Sequence, residues 1–167
     1  MYSVGERIIY GQTGVCEITD ICEKVFIKNQ KKLYYVLKPA NSENNLIYAP
    51  VENNKVFMRR LITSQQAEKL ISDIPQIVDK ICDTAELTKE DYTEKINNHT
   101  LEQLVELTAI IYAKKLNVEK MKKRLNIIDE KYMKIGENLL FGEIAAVLDI
   151  PLSEVQSYIE QKIASTK

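Results

Sequence analysis

The 167-residue chain has no tryptophan, one histidine, three cysteines and five glycines, and no apolar run approaches the ~18 residues that a bilayer-spanning helix needs. Each scarcity excludes something. Cys16, Cys22 and Cys82 are an odd number without a CxxC spacing, which argues against a disulfide framework or a zinc ribbon and leaves buried thiols as the expectation. A single histidine, His99, cannot supply a His-rich metal site or a Cys–His nucleophile pair, and its place before Thr100 reads as a polar residue ahead of a helix start. The opening MYSVGERIIYG has no basic segment followed by an apolar segment and a cleavage site, so a cytoplasmic chain with no membrane partner is expected. A net charge of −1 argues against unspecific coating of nucleic acid.

What is present is ordinary in amount and uneven in distribution. Apolar residues at 45% and charged residues at 28% suit a soluble globular chain long enough for two small cores. Residues 1–62 carry 9 basic and 6 acidic side chains, whereas residues 63–167 carry 14 and 18. Within the latter, residues 114–134 hold 8 basic side chains against 3 acidic ones, a cationic strip in an acidic body.

Hydrophobic periodicity changes at the same border. From Arg7 to Leu61, short runs rich in Val, Ile, Tyr and Phe (RIIYG, GVCEITDI, KVFIK, KLYYVLK, NLIYAP, VFMRRL) read as five or six strands, separated by Gly14, an Asn29-Gln30 turn and the polar stretch 40–45. So few short strands enclose a core only when strongly bent, so a small antiparallel sheet or barrel is expected, with Gly5, Gly11 and Gly14 at its bends. After Leu61 the period becomes helical. Thr63 with Gln66, Thr100 with Gln103 and Ser153 with Gln156 each fit a capping box. Apolar stripes run through Leu101, Leu104, Val105, Thr108, Ile111 and Tyr112, through Leu125, Ile128 and Tyr132, and through Leu140, Ile144, Val147 and Leu148. Pro75 and Pro151 read as helix boundaries. The fold class is therefore α+β by domain: a small antiparallel β-barrel over 1–62, then a compact all-α domain of five or six helices over 63–167.

Enzyme chemistry lacks its minimum parts. No Walker A, GxGxxG, GxSxG or HExxH pattern occurs, and Glu90-Asp91 and Asp129-Glu130 read as solvated helix surface, so no catalytic residue, metal, cofactor or small-molecule substrate is assigned. The segment KKLNVEKMKKRL, with Lys131 and Lys134 after it, is the candidate for nucleic acid, because lysines and arginines that neutralise phosphates supply sequence-independent affinity. Its alternative is a solvated helix face. Near the end, EIAAVLDIPLSEVQSYI has the outline of a helix-turn-helix with Gln156, Ser157 and Gln161 as readers, and equally of two packed helices, since Glu154 and Glu160 would face phosphates.

The stretch YSVGERIIYGQTGVCEITDI, followed by KLYYVLK, IYAP and an Arg-x-Leu close at Arg59 to Leu61, resembles the amino-terminal module of the CarD/CdnL family of bacterial transcription regulators. The later segment LNIIDEKYMKIGENLLFGEIA is similar to helices that follow that module. The resemblance implies a Tudor-like barrel that binds the RNA polymerase β subunit through Lys24, Val25, Phe26, Tyr48, Ala49 and Pro50; other members often have arginine or methionine in place of Tyr48. It also implies a helical domain that touches promoter DNA at the upstream edge of the bubble and stabilises the open complex. Its DNA-contacting positions map to Thr88, Lys89, Tyr92 and Lys95, with Lys122, Lys123, Arg124, Lys131 and Lys134 added from the cationic strip. Members place a tryptophan at the position of Thr88, and threonine cannot stack on a base, so phosphate contacts carry the DNA role expected here. The rival expectations are an autonomous helix-turn-helix DNA binder and a protein adaptor without DNA contact.

Overall fold

The computed structural model describes residues 1–52, 55–81 and 87–166, which separate into two compact units, Met1–Leu61 and Ile62–Lys167. The first is one antiparallel sheet of β1 (Arg7–Tyr10), β2 (Gly14–Ile27), β3 (Gln30–Pro39), β4 (Ile47–Pro50) and β5 (Met58–Arg60), in the order β4-β3-β2-β1-β5. Two of the expected runs, GVCEITDI and KVFIK, are a single 14-residue strand. Its turn comes at Lys28 and at Asn29, which takes the left-handed φ of 65° that a tight hairpin needs. The barrel expected from the pattern is not closed: among the described residues β4 and β5 remain the two edges.

Bending comes from β2 instead. Its register against β3 slips by one residue between Ile18 and Asp20, and again between Lys24 and Ile27, and such bulges kink a strand and raise its twist. One face of the bent sheet buries Ile8, Cys16, Ile18, Tyr35, Leu37 and Ala49. Tyr2 folds over this face, its ring 5.8 Å from that of Tyr35 and its N–H donating to the Tyr35 hydroxyl at 3.0 Å. Burial pushes the Cys16 thiol up to about 11. Cys16 is thus the buried thiol expected, Cys22 is only half-buried, and Cys82 lies outside the described residues.

The second unit holds α1 (Ser64–Asp79), α2 (Lys89–Asn97), α3 (Leu101–Lys120), α4 (Ile127–Leu148) and α5 (Val155–Ser165). Leu70, Ile71, Tyr92, Ile96, Leu104, Leu107, Ile111, Tyr132, Leu139, Leu140, Ile144, Val155 and Ile159 form its core. Helices α3 and α4 approach closely at Gly136, where a Cβ would sit 3.0 Å from Thr108 Cγ2.

Three sequence expectations are corrected here. The Thr63 capping box with Gln66 forms and Thr100 caps α3, but Ser153 caps nothing: a short 3-10 turn (Leu152–Glu154) leads into α5, whose N-cap position is Glu154. Pro75 lies inside α1, where the helix continues past the backbone hydrogen bond that proline cannot donate. Ile128 and Tyr112 are exposed, and Asp129 takes the buried position in the first turn of α4. Asp149, in the turn after α4, adopts the left-handed conformation (φ 54°, ψ 46°) usually left to glycine. None of the described helices is long and apolar enough to cross a membrane.

Candidate functional site

In the amino-terminal unit, the residues expected to bind a partner converge at one rim of the sheet. Tyr48 stands on edge strand β4, and antiparallel pairing alternates the direction of its backbone groups. Val51 N–H donates to Leu33 C=O, so the facing pairs Leu33/Val51 and, two residues along, Tyr35/Ala49 exchange hydrogen bonds inward. The N–H and C=O of Tyr48 therefore point away from the sheet, as does the C=O of Pro50, which has no N–H to offer.

Side chains follow the same alternation. Ala49 is fully buried in the core and its backbone is bonded to β3, so it adds nothing to the surface, whereas Tyr48 is 38% exposed on the opposite face. Phe26, 59% exposed and carried in the second slip of β2, meets Tyr48 edge-on with centroids 5.4 Å apart, and meets Tyr34 at 5.0 Å. Lys24 Nζ lies 5.9 Å from the centre of the Tyr48 ring. Val25 and Ile27 are as exposed as Phe26, and Leu33 adds to the rim. Tyr34, nearly buried, was not among the sequence candidates. The alternation of KLYYVLK places it on the outer face with Val36 once Tyr35 and Leu37 are assigned to the core. An exposed aromatic cluster beside a free strand edge is suited to capturing another strand: backbone groups provide the pairing and side chains choose the partner.

In the helical unit, the expected DNA contacts divide into buried, paired and exposed groups. Thr88 is the N-cap of α2: its hydroxyl accepts from Asp91 N–H, and the Asp91 carboxylate accepts from Thr88 N–H at 2.7 Å. Those contacts with Thr88 hold the Asp91 carboxyl below its ordinary range. Tyr92 is 1% exposed and reaches no surface. Its hydroxyl donates to Asp129 Oδ1 at 2.7 Å and accepts from Lys114 Nζ at 2.8 Å, and desolvation first, then Asp129, raises it well above the ordinary phenol range. Lys95 is tied to Glu106 at 2.7 Å. Lys89, Lys122, Lys123, Arg124, Lys131 and Lys134 are exposed. Lys123, Arg124 and Lys134 border one groove with Lys115, but Glu119, Glu130 and Glu137 line it too, so its charge is mixed. At the far end of the unit, Gln156 Nε2 donates to Glu160, engaging one of the side chains expected to read bases.

No curated protein matches the chain. A family model does match residues 2–62, described as the CarD-like/TRCF RID domain. That span coincides with the unit carrying the aromatic rim and the free edge of β4. The amino-terminal unit is thus similar to the CarD-like/TRCF RID domain, an RNA polymerase β-subunit interaction domain.

Proposed function

We propose that the chain is a non-enzymatic bacterial transcription regulator. Residues 1–62 act as a Tudor-like module that docks on the RNA polymerase β subunit, and residues 63–167 touch promoter DNA at the upstream edge of the bubble, stabilising the open complex. The observation that carries the docking is the coincidence of the family match over residues 2–62 with a free strand edge that exposes Tyr48, against which Phe26 of β2 packs. A β-strand of the partner would extend the sheet beyond β4, with Pro50 ending the ladder because it lacks a donor. Lys24, Val25 and Phe26 would touch side chains of the partner, and Ala49, its side chain buried and its backbone bonded to Tyr35, would only hold Tyr48 and Pro50 in place.

DNA contact in this reading is weak and directed at phosphates. Lys89, Lys122, Lys123, Arg124, Lys131 and Lys134 supply it from the surface, while Thr88 and Tyr92 shape the helical unit behind them and Lys95 stays paired with Glu106. The test is open-complex lifetime on a defined promoter, comparing the intact chain with residues 1–61, the unit that forms its own core. A longer lifetime only with the intact chain supports both halves. Equal lifetimes remove the helical half, and tight binding to free DNA without polymerase contradicts the order of events.

The mixed charge of the groove at Lys123, Arg124 and Lys134 favours one second reading, a protein adaptor. Acidic Glu119, Glu130 and Glu137 repel phosphates yet suit a partner that presents both signs. Charge reversal at Lys122, Lys123 and Arg124 that leaves promoter complexes unchanged would select it.

A further inference from the structure

The loop from α3 to α4 lines an open cavity of about 480 Å³, a volume within the range of small-molecule sites. Lys114, Asn117 and Val118 stand three and four residues apart on one face of α3, and Arg124 and Leu125 join them from the loop. Lys122 takes a left-handed φ of 55° as α3 ends, and Lys123 N–H donates to Val118 C=O at 2.8 Å, so backbone geometry fixes the return of the loop. Leu87, ahead of α2, completes an apolar wall with Val118 and Leu125. Leu87 and Leu125 also pack against the core of the helical unit, which holds that wall in place.

Asn126 and Asp129 line the cavity too, but their polar atoms are already engaged. Asn126 Nδ2 donates to Asp129 Oδ2 and Asp129 N–H donates to Asn126 Oδ1, each at 2.8 Å, while Asp129 Oδ1 accepts from Tyr92 and lies 3.7 Å from Lys114 Nζ. Lys114 therefore balances the acid of the lining, and the charge of Arg124 is left over. The Arg124 guanidinium and the Asn117 side-chain amide are exposed and have no partner among the described residues. A guanidinium fork fits two oxygens of a phosphate, an amide offers the donor and the acceptor that a base edge requires, and an apolar wall covers the face of a flat ring. We propose that this cavity binds a nucleoside monophosphate, with Arg124 on the phosphate, Asn117 on the edge of the base, and Leu87, Val118 and Leu125 against the face of the base. Inorganic phosphate alone leaves the wall in water and forfeits the burial that the base supplies. The ligand is a free small molecule, so the proposal does not rest on the DNA-contact reading.

The test is isothermal titration calorimetry of the full chain with adenosine monophosphate, guanosine monophosphate and inorganic phosphate. At least one nucleotide is expected to bind at a single site, and inorganic phosphate to bind at least about tenfold more weakly. Arg124→Ala should weaken the nucleotide at least about tenfold, and Arg124→Lys should restore only part of the loss, because lysine keeps the charge without the fork. Asn117→Ala should weaken the nucleotide and leave inorganic phosphate unchanged. Lys131→Ala, an exposed cation outside the cavity, should change neither. Circular dichroism of each variant checks that these exposed substitutions leave the helices intact. Failure of both nucleotides to bind overturns the proposal, as does inorganic phosphate binding as tightly as they do. A nucleotide held undiminished by Arg124→Ala lies elsewhere on the chain, and one weakened equally by Lys131→Ala is drawn by general positive charge; either result overturns the site.

Discussion

The Tyr92 hydroxyl donates to Asp129 Oδ1 at 2.7 Å and accepts from Lys114 Nζ at 2.8 Å, joining α2, α3 and α4 through one phenol oxygen. Asp129 is 5% exposed, and a buried carboxylate is tolerated only when its oxygens are engaged. Tyr92→Phe keeps the ring packing and deletes that donor, so it should cost about 1–3 kcal/mol in urea unfolding followed by helical circular dichroism. It should also change the alkaline limb. The raised pKa of Tyr92 means that the unfolded chain loses this proton first, so stability is full below the ordinary phenol range and falls as pH rises through it. In Tyr92→Phe that fall should be shallower, which unfolding midpoints on both sides of pH ~10 would measure.

How legible was this in the sequence? The helical period of α4 is correct and its stripes bury Tyr132, Leu140 and Ile144, but in the first turn the protein buries Asp129 and exposes Ile128. Periodicity prices each residue by its own hydrophobicity, and Asp129 is paid for by Tyr92, 37 positions earlier. The Thr88 cap was missed for a similar reason, because aspartate replaces the usual glutamate or glutamine at the reciprocal position and still reaches back. In the sheet, alternation separates Tyr35 from Tyr34 and Ala49 from Tyr48 without help. That Val25, Phe26 and Ile27 are exposed could not be read locally, since an apolar run resembles a buried strand until the register slip in β2 is known.

Glu143 is 1% exposed, and its Oε1 accepts from the N–H of Ile62 at 3.0 Å, tying the first residue of the helical unit to α4. Glu143→Ala would strand that donor beside a small void, so a loss of about 2–3 kcal/mol is expected. The check is a lower urea midpoint with an unchanged slope, because the folded unit stays equally compact.

Acid should loosen α5 specifically. Glu68 on α1 accepts from the Tyr158 hydroxyl and pairs with Lys162 at 3.2 Å, and these contacts, Tyr158 first, hold its carboxyl below the ordinary range. A lowered folded pKa gives stability that is present above the unfolded value and lost as pH falls through the folded one. Hydrogen exchange should therefore show α5 amides losing protection at acid pH before those of α3, and Glu68→Gln should remove this difference between neutral and acid conditions. Equal loss in both helices would refute the assignment.

Tyr48 and Ala49 are neighbours on β4 and separate docking from folding. Ala49 sits at zero exposure against Ile18, Tyr35 and Leu37, so Ala49→Asp places an unpaired charge in the core and should cost about 3 kcal/mol or more of the amino-terminal unit's stability. Tyr48 points the other way, and its loss removes the ring that meets Phe26 edge-on without opening the core. Tyr48→Ala should leave the thermal midpoint nearly unchanged yet weaken binding to purified β subunit at least about tenfold, as truncating a central aromatic anchor does. Phe26→Ala should behave the same way. Because the two aromatics touch, the double variant should lose less than the product of the single losses, a coupling that a double-mutant cycle reads directly. Additive losses would mean that the rings contact the partner independently, and an unchanged affinity in all three variants would move the docking surface away from β4.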